Sequence, residues 1–534
     1  MTIGISRAFC QQHHLQHKGL LFQDHYQRLS FVKWKDTSSL VTREPQRITV
    51  TNPANGKQLC TVDAASSEEV EWAVSHAQTT FDSGIWSKAS SIHRASVLSR
   101  LAVSLQQRIP DMARIDTMQT GRPIREMNAQ MTRLPEWLSY YAALLRTNQG
   151  FVAPAQGKLL NYVQRVPLGV VAQITPFNHP LFIAIKKIAP ALAAGNSVIV
   201  KPSELTPISL LEFASRTQEA GLPDGVLTIL PGYGHTTGKQ LATHPLVRKV
   251  DITAGTRTGR ALGAIVGSNL SAFTAELGGK APILVFDDAD VVSAVNGVAF
   301  ASFIASGQTC VSGTRIIIHE NIYESFMMEF LRKVESITQG MGDPMNERCS
   351  MGSIISPHHL NRIDDMVARR QSGTVLTGGK RMLGKSLLDH FDFSCGSFYP
   401  PTVISDVDVS DELWQEEIFG PVVVVKKFST ESEGVRLANA SKYGLGAGVW
   451  TQDLSRAHRV AADIDAGLVW VNTHHRNDPS SPWGGMKESG IGRENGIEAL
   501  EAYSQSKSII VNVASADESR QTDDWFGGEQ KRYG

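Results

Sequence analysis

The chain has 534 residues, 42% of them hydrophobic, so it can bury two or three separate cores. Lysine plus arginine and aspartate plus glutamate both total 52, which excludes a net field that recruits nucleic acid and leaves small molecules or copies of the chain as expected partners. The five cysteines lack the spacing of zinc ligands, which predicts neither a metal site nor a disulfide framework and favours a reducing compartment.

The N-terminal stretch carries a weak targeting pattern. Residues 1–23 contain no acid and include Arg7 and Lys18 among apolar residues, as organelle transit peptides do, but they are poor in arginine and serine for such a signal. We therefore interpret residues 1–45 as an extension and predict a cytoplasmic protein, with mitochondrial import as the alternative. No apolar run in the chain reaches the roughly 18 residues of a membrane span.

Ordered structure is predicted from residue 46 onwards. Residues 48–56 have the pattern of a strand and a turn, and Ser66 followed by Glu69 predicts a capped helix over 66–81. Helical periodicity continues over 92–108 and 137–145. These segments contain no catalytic cluster, so we interpret them as scaffold.

Residues 150–168 interrupt the helical pattern. Two apolar arms flank Gln156, Gly157 and Lys158, which predicts a β-hairpin. Since an exposed apolar hairpin usually contacts something, we expect it to meet another subunit.

Strands and helices alternate regularly beyond Gly169. Strands are predicted at 170–175, 197–200, 226–230, 249–253 and 272–277, with helices at 181–194, 207–220, 235–243 and 256–266. This alternation predicts a parallel, doubly wound sheet with its ligand site at the carboxyl ends of the strands. A second α/β unit is predicted after Cys310, with strands at 315–319, 375–377, 422–426, 448–451 and 467–471 and helices at 322–337 and 432–440.

Three loops at the predicted carboxyl edge carry polar groups. Asn178 follows the first strand, Lys201 and Glu204 follow the second, and the turn 254–259 precedes a helix whose backbone N–H groups attract phosphate. Each signal is weak alone, because turn asparagines, solvated strand ends and glycine-rich turns are common.

A carboxylate and a thiol bracket the next strand and helix. Glu276 precedes an apolar strand over 281–286, and Cys310 follows the amphipathic segment after it. A thiol can attack a carbonyl carbon, and a carboxylate can later activate water to break the resulting thioester. Taken alone, Cys310 is better interpreted as a small buried hydrophobe and Glu276 as a surface acid at the end of a strand.

The order of the motifs resembles that of the NAD(P)-dependent aldehyde dehydrogenase superfamily: ITPFNHP, KPSE, a small-residue turn, ELGGK, GQTC, EEIFGPV and PWGGMKESGIGRE. The resemblance implies an α/β fold of two Rossmann-like doubly wound domains with a β-hairpin oligomerisation element. It places the cofactor domain at 46–149 and 169–278, the catalytic domain at 279–503, the oligomerisation strands at 150–168 and 504–514, and a tail at 515–534. It also implies a homodimer or homotetramer.

The same resemblance implies catalytic roles. Cys310 matches the nucleophile, Asn178 with the backbone N–H of Cys310 matches the oxyanion hole, and Glu276 matches the base that hydrolyses the thioester. Members that transfer the acyl group to coenzyme A typically lack this glutamate, so we expect a free carboxylic acid as product. An acylating enzyme, or a non-catalytic binding protein on the same fold, is the alternative.

Cofactor contacts are implied by position for Thr175, Pro176, Phe177, Lys201, Ser203, Glu204, Gly234, Thr253, Gly255, Thr256, Gly259, Leu277, Gly278, Glu417 and Phe419. A carboxylate at Glu204 suits the ribose hydroxyls of NAD and repels the 2′-phosphate of NADP. NAD is therefore expected, with NADP second. Two departures from the family pattern, Ala254 and Arg257, put cofactor affinity and the exclusion of NADP in doubt.

The substrate tunnel is implied to be lined by Ile183, Lys186, Ile304, Thr309, Val311, Asn477 and Trp483. Lys186 and Asn477 occupy positions that are often aromatic in the family. We therefore expect a polar, acidic or aromatic aldehyde or semialdehyde. The alternative is that Lys186 and Arg476 point to solvent.

Overall fold

The computed structural model describes residues 46–522 and residue 526. The predictions made for residues 1–45 and for most of the tail at 515–534 lie outside this part of the chain. Within it, no helix is both long and apolar enough to cross a membrane.

The described residues form twenty strands: β1 Arg47–Thr51, β2 Gln58–Asp63, β3 Phe151–Ala153, β4 Leu159–Pro167, β5 Val170–Ile174, β6 Ser197–Lys201, β7 Leu227–Ile229, β8 Val247–Thr253, β9 Ala272–Glu276, β10 Ala281–Val285, β11 Gly313–His319, β12 Thr374–Thr377, β13 Thr402–Ser405, β14 Val422–Phe428, β15 Tyr443–Gly444, β16 Gly446–Trp450, β17 Leu468–Val471, β18 Met486–Lys487, β19 Gly490–Ile491 and β20 Ser504–Asn512.

The described part of the chain also contains seventeen α-helices: α1 Ser67–Ser83, α2 Ser91–Gln106, α3 Ile109–Thr120, α4 Ile124–Met131, α5 Leu134–Thr147, α6 Pro180–Ala194, α7 Ile208–Ala214, α8 Lys239–Thr243, α9 Thr256–Ser268, α10 Val291–Phe303, α11 Tyr323–Gln339, α12 Pro357–Ala368, α13 Glu412–Gln415, α14 Glu431–Asn439, α15 Leu454–Asp463, α16 Gly496–Ala502 and α17 Ala516–Thr522. A π-helical turn, Gly234–Gly238, precedes α8, and a 3₁₀ turn, Ile304–Gly307, follows α10.

The first large sheet has six strands in the order β19-β9-β8-β5-β6-β7. Its strands run parallel except for β19, which is antiparallel to β9. Helix α6 follows β5 and is buried throughout except at Phe182, which explains why its sequence is apolar on all sides. The predicted doubly wound sheet is confirmed.

The second large sheet has seven strands in the order β12-β13-β14-β11-β10-β16-β17. All neighbours are parallel except β12, which pairs antiparallel with β13. Strands β10 and β16 are buried along their whole length, as expected when helices cover both faces of a parallel sheet. The second predicted α/β unit is therefore confirmed as well.

A separate three-stranded sheet joins the hairpin to the C-terminal strand. β3 and β4 pair antiparallel as predicted, and β20 adds to β4 with Ile509 opposite Tyr162. Apolar side chains of this sheet face solvent in the single chain: Phe151 is 63% exposed, Val152 66% and Ile510 61%.

The helix predicted over 207–220 is shorter in the structure. Helix α7 ends at Ala214, and turns continue to Gly221. The Ser215 hydroxyl donates to the Glu212 carbonyl over 2.8 Å, and the Thr217 hydroxyl donates to the Ala214 carbonyl over 2.9 Å. These side chains compete with backbone N–H groups for the last carbonyls and so end the helix early.

The predicted division into domains stays a prediction, but one segment lies differently in the structure. Strand β19 falls within the predicted catalytic range 279–503, yet it pairs with β9 of the first sheet. Leu500 and Tyr503 likewise pack in the core formed by helices α2 to α6. Such short, non-local pairings leave no periodic pattern in the sequence.

Candidate active site

The loop before Cys310 has an unusual backbone conformation. Ala305, Ser306 and Gly307 have φ angles of +53°, +56° and +70°. A Cβ atom on Gly307 would collide with the Gly420 carbonyl, so this close approach requires glycine. Residues with side chains rarely adopt this conformation unless the surroundings impose it, and such strain clusters at functional sites.

Asn178 lies beside this loop. It follows β5 at the start of α6, is buried, and donates a hydrogen bond from Nδ2 to the Gln308 carbonyl over 2.7 Å. Gln308 is itself held, because its Oε1 accepts from the Ile355 backbone N–H over 2.9 Å. One of the two Nδ2 protons of Asn178 is therefore used to fix the side chain, and the other remains for a ligand oxygen.

The Cys310 thiol is packed among apolar side chains of Val311, Leu445, Trp470 and Trp483. Desolvation, with a smaller contribution from the carboxylates of Glu417 and Glu276, raises the pKa of this thiol to about 12, and the charge of Lys186 acts in the opposite direction. In the protein without ligands, Cys310 is therefore a protonated thiol at neutral pH.

Glu276, at the end of β9, is buried, and neither of its carboxylate oxygens has a hydrogen-bond partner among the described residues. Burial raises the pKa of this carboxyl well above its ordinary value, and the negative charge of Glu494 adds to the effect. A Cβ atom on Gly484 would stand 3.0 Å from Oε1 of Glu276, so the backbone at Gly484 lies directly against the carboxylate. A carboxyl group with a raised pKa suits general base catalysis.

A buried ion network surrounds Glu276. The Lys186 Nζ atom lies 2.9 Å from Glu494 Oε2, and Lys187 Nζ contacts both Glu494 and Asp251. The hydroxyl of Tyr503 donates to Asp251. Sequence reasoning missed this network, although adjacent lysines in an otherwise apolar helix and an unassigned Glu494 within a motif were available signals.

The predicted alternative for Lys186 is wrong. Lys186 does not point to solvent, since its side chain is 3% exposed and Nζ lies 4.6 Å from the centre of the Trp483 ring. Its charge is balanced by Glu494, which is also buried, as a desolvated charge requires a partner. Arg476, in contrast, is exposed.

Lys201 and Glu204 lie together at the carboxyl end of β6. The Lys201 Nζ atom is 3.1 Å from Glu204 Oε2, and the lysine is buried whereas the glutamate is partly exposed. The π-helical turn that begins at Gly234 runs alongside, with Gly238 close to the Lys201 stem. π-Helical turns occur frequently at functional sites.

The loops that follow β5 and β6 are linked by their backbones. Thr175 donates its backbone N–H to the Lys201 carbonyl over 3.1 Å, and Pro176, Phe177 and Ser203 lie in the same pair of loops.

The N-terminus of α9 is open. Gly255 is its N-cap and provides no side-chain cap, and a Cβ atom on Gly255 or on Gly234 would meet nothing within 4 Å. The buried hydroxyl of Thr253, just before this turn, has no partner among the described residues. Open backbone N–H groups at a helix start favour phosphate, and Thr256 is the first residue of this helix.

Glu417 reaches the site from the second sheet. Its Oε1 accepts from the Gly279 backbone N–H over 2.9 Å, and a Cβ atom on Gly278 would stand 2.7 Å from its Oε2. Burial raises the pKa of Glu417 to about 7. Phe419, with φ at +59°, meets Phe177 edge to face with 5.6 Å between ring centres.

Leu277 packs closely against the first turn of α9. A Cβ atom on Gly259 would collide with the Leu277 side chain, so this glycine permits the close approach of helix and strand. The structure thus brings the ends of β8 and β9 together near Glu276.

The predicted substrate residues differ in their positions relative to Cys310. Thr309, Val311 and Trp483 lie next to Cys310, and the Thr309 hydroxyl is 3.5 Å from Nε2 of His475. The Asn477 side chain is used internally, since its Oδ1 accepts from Asn495 Nδ2 over 2.9 Å. Ile183 is buried in α6, and Ile304 begins the turn before Cys310.

Sequence reasoning did not identify two aromatic groups of this region, Trp470 and Phe300. The Trp470 ring centre is 6.0 Å from that of Trp483 and 4.6 Å from that of His474, and Phe300 meets His475 edge to face. The sequence offered the His474 and His475 pair as a signal but gave no position for Phe300.

Comparison with known proteins gives a consistent result. The sequence model of the aldehyde dehydrogenase family matches residues 40–509. The structure is similar to many solved structures, and three of them illustrate the match. PnpE from Pseudomonas sp. WBC-3 has 39% identity and a TM-score of 0.84, and the match covers 88% of this chain and 95% of that chain. The NAD+ complex of an aldehyde dehydrogenase from Bacillus cereus has 34% identity and a TM-score of 0.84, with 88% and 94% covered. Betaine aldehyde dehydrogenase from Staphylococcus aureus in complex with NAD+ has 35% identity and a TM-score of 0.86, with 90% and 94% covered.

Proposed function

The chain belongs to the aldehyde dehydrogenase family, and on that premise we propose that it oxidises an aldehyde to the free carboxylic acid with NAD as hydride acceptor. One observation carries the mechanism. The Asn178 amide donates a hydrogen bond to the carbonyl of Gln308, two residues before Cys310. The Glu276 carboxylate beside the site has no hydrogen-bond partner among the described residues.

In the first step, the Cys310 sulfur adds to the aldehyde carbon. The thiol releases its proton to solvent, the S–C bond forms, and the carbonyl oxygen becomes an oxyanion on a tetrahedral thiohemiacetal. The second Nδ2 proton of Asn178 and the backbone N–H of Cys310 donate to this oxyanion, which stabilises charge that is absent in the free aldehyde.

In the second step, the thiohemiacetal loses a hydride and becomes a thioester on Cys310. Bound NAD would supply the hydride acceptor, as the cofactor does the redox chemistry and the protein positions it. Asn178 holds the carbonyl oxygen throughout, so the reacting carbon stays in place.

In the third step, Glu276 removes a proton from water, and the hydroxide oxygen adds to the thioester carbon. The C–S bond breaks, Cys310 leaves as a thiolate, and the carboxylic acid is released. The proton on Glu276 then returns to solvent. The raised pKa of Glu276 makes it a stronger base than an exposed carboxylate.

Two features of the chain suit NAD. Lys201 and Glu204 offer a cation and a carboxylate to the adenosine ribose, and the open N-terminus of α9 offers N–H groups to the pyrophosphate. Glu417, held by the Gly279 N–H, would accept from the nicotinamide ribose. We propose that the remaining predicted cofactor residues also contact NAD at the same edge of the sheet.

For the substrate we propose a polar or aromatic aldehyde. Trp470, Trp483 and Phe300 provide aromatic faces near Cys310, and His475 provides a neutral imidazole, since burial lowers its pKa to about 3. An acidic aldehyde is less favoured than the sequence predicted, because Glu494 already balances the charge of Lys186.

We also propose that the chain forms a homodimer or homotetramer through the sheet of β3, β4 and β20. Its exposed apolar side chains and the free edges of β3 and β20 support this proposal, because such a surface is rarely left in water. A cytoplasmic location, with mitochondrial import as alternative, stays a prediction.

The test is NADH formation by the purified protein with aromatic, acidic and aliphatic aldehydes, with NAD and NADP compared. We expect turnover that Cys310→Ala abolishes, a free acid as product, and no dependence on coenzyme A. An acyl-coenzyme A product would overturn the hydrolytic mechanism, and the absence of turnover with every aldehyde and both cofactors would overturn the proposal.

A further inference from the structure

A buried ion pair lies behind the candidate oxyanion hole. Arg122 is in the turn between α3 and α4, and Glu126 is in the first turn of α4. Their side chains are 3% and 7% exposed, and Arg122 Nε lies 3.2 Å from Glu126 Oε2. Burying two charges is costly even when they are paired, so the pair requires an explanation beyond stability.

Glu126 holds the loop that carries the thiol. Its Oε2 also accepts from the Ala305 backbone N–H over 3.2 Å. Ala305 begins the run of residues with positive φ that leads to Cys310. A single carboxylate oxygen thus holds an N–H group in a backbone conformation that side-chain residues rarely adopt.

Arg122 holds the loop that carries Asn178. Its Nη1 atom donates to the Asn178 carbonyl over 3.3 Å and to Gln130 Oε1 over 3.0 Å, and it lies 2.7 Å from Nδ1 of His179. Since a guanidinium can only donate, Nδ1 of His179 accepts and its proton resides on Nε2. Burial and the charge of Arg122 lower the pKa of His179, which keeps the ring neutral.

These contacts close a ring. Asn178 Nδ2 donates to the Gln308 carbonyl over 2.7 Å, and the Gln308 N–H donates to the Ala305 carbonyl over 3.0 Å. The Ala305 N–H donates to Glu126, and Glu126 forms the ion pair with Arg122. Arg122 donates to the Asn178 carbonyl, which closes the ring. One candidate oxyanion donor, the Asn178 amide, belongs to this ring, and the other, the Cys310 N–H, lies two residues after Gln308 in the chain.

We propose that Arg122 and Glu126 are positioning residues that set the spacing between the two oxyanion donors. The inference rests on the proposed function, because it assigns these residues to the oxyanion hole of that site. Neither residue touches the reacting atoms. They act through Asn178 and through the Ala305 backbone, so their loss affects every step that forms a tetrahedral oxyanion.

The test compares Glu126→Ala with Glu212→Ala. Glu212 forms a similarly buried pair with Arg108, at 2.6 Å and with exposures of 6% and 21%, and it lies outside the ring. We expect Glu126→Ala to lower kcat for aldehyde oxidation about 100-fold with an unchanged Kd for NAD, since a displacement near 1 Å costs about that much. Glu212→Ala is expected to lose stability with kcat unchanged.

Conservative variants separate positioning from structural damage. Glu126→Gln keeps an oxygen acceptor for the Ala305 N–H. Its kcat is expected to lie within about fivefold of the wild-type value, since hydrogen bonding rather than charge holds the loop. Arg122→Lys replaces the guanidinium group, whose separate nitrogens contact the Asn178 carbonyl and Glu126, with a single ammonium group. Its kcat is therefore expected to fall as in Glu126→Ala. If Glu126→Ala does not fold, this pair of variants decides the question.

A second readout does not need the aldehyde or the cofactor. Acylation of Cys310 by 4-nitrophenyl acetate, followed by release of 4-nitrophenolate, also passes through a tetrahedral oxyanion. We expect the acylation rate to fall in Glu126→Ala and to stay unchanged in Glu212→Ala. If no aldehyde is oxidised but this pattern appears, the proposed function fails and the positioning role stands. Equal acylation rates in both variants, or a loss confined to NAD affinity, would overturn the positioning role.

Discussion

Gly279 lies directly against the backbone of Cys310, so that a Cβ atom on Gly279 would collide with the Cys310 carbonyl oxygen. The Gly279 N–H also donates to Glu417 over 2.9 Å. One residue without a side chain therefore supports both the nucleophile and a proposed cofactor contact. The close approach explains why ELGGK places glycine here, three residues after Glu276.

We expect Gly279→Ala to displace Cys310 and to lower kcat at least tenfold, because the reacting atoms must stay aligned. Overpacking should also destabilise the protein by roughly 1–3 kcal/mol. Steady-state kinetics and thermal melting measure the two effects. Gly267→Ala in α9 is the matched control, because a Cβ there meets nothing within 4 Å and helix propensity improves. Equal kcat values for both variants would contradict the assignment.

The reactivity of the Cys310 thiol should depend steeply on pH. Because its pKa is raised to about 12, the thiolate fraction in the ligand-free protein is about one in ten thousand at pH 8. We expect inactivation by iodoacetamide to accelerate about tenfold per pH unit between pH 7 and 10. The background variant carries Cys395→Ser, which removes the exposed thiol among the described residues, and Cys10→Ser, which removes the thiol outside them. A plateau in rate below pH 8 would show that the thiol ionises more readily than its surroundings imply.

Replacing Glu276 should separate the two halves of the reaction. In Glu276→Gln the thioester forms but no base activates water, so we expect one NADH per active site in a burst and a steady-state rate reduced about 100-fold or more. Rapid-mixing absorbance measures the burst. In the wild type, kcat should fall as pH is lowered, because the raised pKa of Glu276 places its protonation above the usual carboxyl range. A variant without a burst would place the defect before the thioester.

The parallel sheets could be predicted because their signals are local. Strand β5 and helix α6 lie within one residue of their predicted bounds, and the Ser66 cap with Glu69 forms a reciprocal capping box before α1. Glycine and proline mark the ends of these elements in the sequence, so no distant contact is needed to place them.

The contacts that assemble the site could not be predicted in the same way. Glu126 and Ala305 are 179 positions apart, and Lys187 and Glu494 are 307 apart. Their pairing depends on tertiary packing, which overrides local preference at strained and buried polar positions. The motifs indicated which residues react, but not which buried charges hold them.

The carboxylate of Glu204 should control the choice between NAD and NADP. It is partly exposed and paired with Lys201, so it stands where a 2′-phosphate would be repelled. We expect Glu204→Gln to raise kcat/KM with NADP about tenfold or more and to lower it with NAD, measured with a single aldehyde. Glu219→Gln, which alters an exposed pair with Arg216, is the control. Unchanged ratios would remove Glu204 from the cofactor site.

Glu494 should contribute stability that depends on pH. Burial alone would raise its pKa, but Lys186 and Lys187 outweigh burial and lower it to about 2. In an unfolded chain a glutamate titrates near about 4.3. The contribution of Glu494 is therefore complete above that pH and is lost as the pH falls towards 2.

Glu494→Gln removes the ion pair of Lys186 and leaves Lys187 paired with Asp251 alone. We expect a loss of about 3–5 kcal/mol at pH 7, seen as a lower melting temperature, because an uncompensated buried charge is costly. The difference from wild type should shrink as the pH falls below about 4, because the glutamate of the unfolded chain then binds a proton while folded Glu494 keeps its charge. Glu431→Gln breaks the exposed pair with Arg459 and should cost less than about 1 kcal/mol at either pH. If both variants melted alike at pH 7, the buried network would not stabilise the fold.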